Sequence, residues 1–276
     1  MVKKRDFFEY EKTLFGRKEE LKVSPFYPGY FHLTNALSAL KKISGKILDV
    51  GCGRGEVSKA IKKYRPDLEV WAIDIGRAAL EQAKKEPSGV NFTYGSAYKI
   101  PFPNDTFDAV LTFDVIEHLG DPSLGLSEIK RVLKKKGVLV LSCPTEGNIT
   151  TLHGFLWRIL GVNLKRKYVG HVWMYTLGQL KDLLKGSGFK IICWKWSNYL
   201  INQLVDLSFF VYLHLLKRKP GQHLLVGPVK EKTRFLWKLR EIIFKCGCFL
   251  NFLEGRLFSF IPGQEIHMHL INDRAK

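Results

Sequence analysis

The chain has 276 residues, 46% of them hydrophobic and 13% aromatic, enough to bury one substantial core, which excludes the disordered and fibrous classes. Its five cysteines are odd in number and lack framework spacing, and Cys246-x-Cys248 has no second pair at zinc-finger distance; free thiols in a reducing compartment are expected. The formal net charge of +18 implies either a solvated lysine-rich surface or an anionic partner, with local runs at Lys134–Lys136, Lys165–Lys167 and Lys217–Lys219.

Residues 1–44 read as an N-terminal helical cap. Their charged opening lacks the apolar core of a secretory signal, and Leu33–Leu40 is expected to pack over a sheet edge. From Lys46 apolar runs alternate with helical periods, the pattern of a parallel sheet with crossover helices. Lys46–Val50 is a first strand ending in Gly51, and Glu56–Tyr64 a helix with Val57, Ala60 and Ile61 on one face. Glu69–Ile73 is a strand, Arg77–Lys85 a helix and Asn91–Tyr94 a short third strand. Phe107–Phe113 follows as a strand, Leu124–Leu133 as a helix, and Gly137–Ser142 as a strand stopped by Pro144. Thr176–Lys185 is a helix and Phe189–Trp194 a strand, closing a core over 45–196.

The interval 197–263 changes character, being aromatic, basic and helical in period, before Glu265–Ile271 alternates as a last strand within 264–276. This is an insertion ahead of the last strand. In Phe235–Leu257 one stripe gathers Phe235, Leu239, Ile242, Cys246, Phe249 and Leu253, widened by Trp237 and Phe244; Lys238, Glu241 and Lys245 lie opposite, flanked by Arg234. Two readings stand: a lid with its stripe buried on the core, or an interfacial helix on anionic lipid. No run of about 18 uncharged apolar residues occurs, Leu200–Leu216 being interrupted by Asn202, Gln203, Asp206 and His214. The expected location is cytoplasmic, peripheral on a membrane if the second reading holds.

Chemistry concentrates in Leu48-Asp49-Val50-Gly51-Cys52-Gly53-Arg54-Gly55, directly after the first strand. A dinucleotide fingerprint needs a third glycine at position 56, which is Glu56, and a carboxylate in a helix's first turn repels a pyrophosphate. With Asp49 just upstream, the loop suits a cationic ligand without phosphates, such as a sulfonium carrying an ammonium group. Asp74 ends the second strand about 20 residues on, the spacing at which a carboxylate takes both hydroxyls of a ribose; its other reading is a helix N-cap.

Over more than half its length the chain resembles the class I S-adenosylmethionine-dependent methyltransferases of the small-molecule type 11 group, which includes quinone, sugar and lipid methyltransferases. Four motifs carry the likeness. Asp49-x-Gly51-x-Gly53 matches the cofactor loop, Asp74 the ribose acid, and Gly95-Ser96-Ala97 with Ile100-Pro101-Phe102 the adenine-side loop. Phe107-Asp108-Ala109-Val110 through Glu117-His118-Leu119 matches the fourth strand and its turn. Ser96 departs from the family, which often carries Asp there. The resemblance implies a Rossmann-like, doubly wound seven-stranded sheet with its last strand antiparallel. It implies S-adenosylmethionine as cofactor, held by Asp49, Gly51, Cys52, Gly53, Asp74, Ile75, Ser96, Ala97 and Asp114. The acceptor is expected to be a small or lipid-linked molecule methylated on oxygen or carbon.

His118 and His171 are the candidate catalytic bases, with a capping or second-sphere role open for His118 and a structural lid-loop role for His171. Asp114, Glu117, His118 and His171 also resemble the metal set of small-RNA 2′-O-methyltransferases. The Glu-His dipeptide recurs in metal-free members, so no metal is expected and this set is the alternative. An RNA methyltransferase and a silent cofactor-binding scaffold are the rival functions. Nucleic acid is not favoured, since the basic runs lack an aromatic stacking platform.

Overall fold

The computed structural model describes residues 21–27, 29–215 and 234–273. The charged opening of the cap and Lys217–Lys219 lie outside them. Among the described residues a single seven-stranded sheet has the order β3-β2-β1-β4-β5-β7-β6. Its strands are β1 (Lys46–Val50), β2 (Glu69–Asp74), β3 (Asn91–Tyr94), β4 (Phe107–Phe113), β5 (Leu133–Pro144), β6 (Phe189–Ser197) and β7 (Glu265–Asn272). β7 runs antiparallel to both β5 and β6, and the pairings among β1 to β5 are parallel.

Side chains alternate across the sheet, and at the central strands both faces are buried. On β1, Ile47 joins a core with Leu111, Val140 and Ile61, while Leu48 and Val50 join one on the other face with Val110, Leu139 and Ile129. This is why the central parallel strands read as mainly apolar runs rather than as alternating ones. The helices covering the first face are α1 (Tyr30–Leu40) and α2 (Glu56–Tyr64); α3 (Arg77–Lys84) packs beside β2 and β3. α4 (Pro122–Val132) and α7 (Leu177–Gly186) cover the second, α4 capped by Asp121 and α7 by a Thr176–Gln179 capping box.

Three features differ from expectation. α1 lies on the sheet face against α2, β4, β5 and β7 rather than over an edge, because Leu33, Ala36 and Leu40 fill the core there. β5 begins at Leu133: Lys134–Lys136 sit on an irregular stretch where the pairing with β4 shifts register, and Lys136 takes a left-handed φ of 61°. Between β5 and α7 two further helices appear, α5 (Leu152–Leu160) and α6 (Leu164–Tyr168).

The insertion is a helix pair, α8 (Leu200–Leu215) and α9 (Arg234–Leu257). On α9 the described side chains invert the expected polarity. Asn251 is buried and donates to Asn198 Oδ1 at 3.0 Å, and Glu254 accepts the Ile201 N–H at the start of α8 at 3.0 Å. Ile242 is 59% exposed and Leu257 67%. Phe249 stacks on Phe26 at 4.6 Å, whereas Ile242, Cys246 and Leu253 of the same stripe are exposed. The side chains of Arg234, Phe235, Trp237, Lys238, Leu239, Glu241 and Phe244 lie outside the described residues.

Candidate active site

The strand order reverses between β1 and β4, and the crevice at their carboxyl ends is where an open α/β sheet receives a ligand. After β1 the chain turns through Gly51 and Gly53 at φ 78° and 54°, conformations that side chains rarely adopt. The Gly51 and Cys52 N–H groups donate to Ile73 O at 2.9 and 3.0 Å, tying the loop to β2. A Cβ on Gly51 would lie 2.4 Å from Val115 Cγ2, so only glycine lets the turn after β4 approach the loop.

Asp74 closes the far side. Its Oδ2 accepts the Gly53 N–H at 2.7 Å and its Oδ1 the Gly76 N–H at 2.6 Å. Each oxygen keeps a second lone pair, which places two acceptors side by side for two ribose hydroxyls. Gly76, rather than Asp74, caps α3. Asp49 is buried beneath the loop with Ser58 Oγ donating to it, and burial pushes its pKa up to about 6. Ile75 is exposed beside Asp74, offering an apolar plane, with Ser96 and Ala97 half-buried on the loop after β3. Ser96 Oγ accepts the Tyr98 N–H at 3.2 Å and so also shapes its own turn.

Asp114 follows β4 in a left-handed conformation at φ 53°, its N–H donating to Ser142 O at 3.1 Å. Its Oδ2 stands 3.6 Å from His32 Nε2, while its buried Oδ1 has no hydrogen-bond partner among the described residues. His32, on α1, bonds Glu265 at the start of β7 and stacks on Phe113. Burial works against a charge on His32, but Glu265 and Asp114 outweigh it and push its pKa up to about 9. Glu265 also accepts from Asn198 Nδ2, and His267 bridges Ser142 and Ser197. The sequence reading missed His32 and Glu265; the one available signal was a carboxylate at the head of a strand that also carries His267 and His269.

A second cluster stands behind this wall. A 3-10 turn, Ile116–His118, follows β4, and the Val172 and Trp173 N–H groups donate to Glu117 O at 2.9 and 3.0 Å. The rings of His118 and His171 meet edge-on with centroids 4.9 Å apart. His118 Nδ1 faces Gly170 O at 3.3 Å, and His171 Nδ1 lies 2.9 Å from Glu146 Oε2. Glu146 is held in turn by Lys165 at 3.1 Å and Gln264 at 3.0 Å. Lys165 is therefore a buried structural cation, paired with Asp206 at 2.7 Å, rather than part of a solvated basic patch. Burial, then the neighbouring His171, lowers the His118 pKa to about 3, which leaves it a neutral imidazole and a weak proton acceptor. Burial, then Asp114, holds the Glu117 carboxyl well above the usual carboxylate range. Of the four residues in the alternative metal set, Glu117, His118 and His171 bring ligand atoms within 4.8 Å of one another; Asp114 faces His32 instead.

The glycine cradle, the paired acceptors of Asp74 and the orphaned oxygen of Asp114 fit an adenosyl group bearing a cationic amino-acid tail. Residues 48–141 match the family described as a methyltransferase domain. The chain is 39% identical over 115 residues to an uncharacterized methyltransferase of Schizosaccharomyces pombe, covering 38% of this chain and 41% of the relative. It is 35% identical over 164 residues to a demethylmenaquinone methyltransferase of Thermotoga maritima, covering 53% of this chain and 70% of that protein. The fold superposes on the crystal structure of the [4+2]-cyclase SpnF with a TM-score of 0.57 at 15% identity, over 96% of this chain and 87% of that one. The chain belongs to the class I S-adenosylmethionine-dependent methyltransferases, in the type 11 methyltransferase-domain family, and S-adenosylmethionine is its cofactor.

Proposed function

We propose that the protein methylates an oxygen or carbon of a small, apolar or lipid-linked acceptor, working at a membrane surface. The observation that carries methyl transfer is the Gly51–Gly53–Asp74 arrangement, a phosphate-repelling cradle with two acceptors for a ribose. When bound, S-adenosylmethionine supplies an electrophilic methyl carbon on a sulfonium. Asp74 and the Gly51–Gly53 turn orient it, and Asp114, His32 and Glu265 line the side from which the acceptor approaches; placement of this kind supplies most of the acceleration in a displacement. SpnF shares the fold without being named a methyltransferase, so the reading rests on the site rather than the architecture.

An apolar acceptor is supported by the surface beside the site and by the relative from Thermotoga maritima, whose name specifies a quinone-type substrate. Phe155, Ile159 and Leu160 on α5, Leu204, Val205 and Phe209 on α8, and Ile242 and Leu257 on α9 are all exposed, and Phe260 just beyond is 79% exposed. α8 packs against both α5 and α9, making these one neighbourhood. Such a surface suits adsorption to lipid. No described helix is long and apolar enough to cross a membrane.

The test is incubation with methyl-labelled S-adenosylmethionine and a panel of isoprenoid quinols, catechols and short RNAs, with products read by mass spectrometry. Labelled quinol or catechol supports the proposal. Label confined to RNA, or cofactor binding without transfer to any of the three, overturns it.

A further inference from the structure

We infer that Glu117, His118 and His171 form a binding site for one divalent transition-metal ion of the zinc, cobalt or manganese class. One ligand atom from each residue lies within 4.8 Å of the others, and His118 Nε2 stands 3.8 Å from Glu117 Oε1. Ligands about 2.0–2.2 Å from a shared ion sit roughly 3–4 Å from one another, so a small side-chain adjustment completes the set.

The strongest mark is Glu117. It is 0% exposed, and neither carboxylate oxygen has a hydrogen-bond partner among the described residues. A buried carboxyl is ordinarily hydrogen-bonded in either protonation state, and a cation is the partner this geometry lacks. The backbone holds the group there all the same, because the Val172 and Trp173 N–H groups both grip Glu117 O and draw the His171 loop onto the turn.

The outer partners are those of a metal centre. His171 Nδ1 pairs with the Glu146 carboxylate and His118 Nδ1 faces the Gly170 carbonyl, the outer-sphere pairing through one nitrogen by which a ligating imidazole is oriented. Lys165 and Gln264 fix Glu146, so the second sphere is itself anchored. The other cluster of similar composition, His32, Glu265 and His267, lacks this character: both His267 nitrogens are taken by serines, and His32 bonds Glu265 directly. Two imidazoles and one carboxylate select a borderline transition metal over magnesium or calcium. Three protein ligands leave coordination positions for an outside oxygen, and Val115, two residues before Glu117, packs on the cofactor loop.

The experiment uses full-length protein dialysed against a chelator and titrated calorimetrically with Zn²⁺, Co²⁺ and Mn²⁺, without cofactor. One ion per chain is expected, with Co²⁺ producing visible d–d bands and two paramagnetically shifted imidazole N–H signals. Glu117→Gln and His171→Ala are expected to weaken binding at least tenfold. Glu146→Gln should weaken it about tenfold through the outer sphere, and His269→Ala should bind as wild type. Circular dichroism and S-adenosylhomocysteine binding check that each variant is folded, and keep failure of this site distinct from failure of the methyltransferase reading. Absence of stoichiometric ion uptake by the wild type, or a cobalt spectrum without shifted imidazole signals, overturns the inference even if the Glu117 variant fails to fold.

Discussion

Asp49 sits under the cofactor loop at 3% exposure with its pKa raised from 3.8 to about 6, and that shift has a sign for stability. An acid held above its unfolded value is protonated more in the native chain, so its contribution is fully present below pH 4 and is lost as pH rises toward 6. Two pKa units correspond to about 3 kcal/mol of order-of-magnitude cost at neutral pH. Asp49→Asn is therefore expected to raise the urea midpoint at pH 7.5 relative to wild type. Near pH 4 the two proteins should be equal; a difference that stays constant from pH 4 to 7.5 would show that Asp49 is not the titrating group. Asp74 makes a different kind of contribution. Removing it as Asp74→Ala takes away both acceptors for a ribose, each charge-assisted bond being worth roughly 1.5–3 kcal/mol. Calorimetry with S-adenosylhomocysteine should show at least tenfold weaker binding, and an unchanged affinity in the folded variant removes Asp74 from the site.

Among the elements, α1 is fastened to the sheet by Leu33, Ala36 and Leu40, all fully buried. Leu33 is fully buried in the core with Leu111 and Val140, and Leu33→Ala should cost about 2–5 kcal/mol in denaturant unfolding. A smaller loss, under about 1 kcal/mol, would mean that the cap is docked loosely. The sheet strands and the Asp49–Gly53 loop were legible in the sequence because their signals are local: a run such as Phe107–Phe113 is apolar at five of its seven positions since it is covered on both faces. α5 was not legible, because Phe155, Ile159 and Leu160 are exposed and the apolar period does not mark a buried face. α9 misled for a related reason. Its inward face is built from Asn251 and Glu254, whose partners on the turn before α8 and at its start are invisible to periodicity. At the site, Asp49, Gly51, Gly53 and Asp74 were readable from spacing. His32 and Glu265 were not, since nothing short-range relates residues 233 positions apart.

At the scale of the whole molecule, a formal charge of +18 and the exposed apolar helices point at the same kind of surface. Each basic residue near an anionic bilayer contributes about 1 kcal/mol, and the contribution is screened by salt. Co-sedimentation should recover the protein with phosphatidylcholine vesicles containing phosphatidylglycerol and release it as ionic strength rises. The double variant Ile242→Asp, Leu257→Asp should stay in the supernatant while binding S-adenosylhomocysteine normally. Equal recovery of wild type and double variant, or none of either at any salt, ends the membrane reading and withdraws the main support for a lipid-linked acceptor.

The bond between His32 and Glu265 has a consequence in time. A ribosome adds residues at about 5–20 per second, and α1 and the five parallel strands β1 to β5 emerge well before β7. Until then His32 lacks its Glu265 partner, and the strand that joins β5 to β6 is missing. Seating β7 between β5 and β6 and bringing Glu265 to His32 are one step, a pairing at high sequence separation. A chain stalled before Gln264 therefore lacks both the strand that joins β5 to β6 and the carboxylate that pairs with His32.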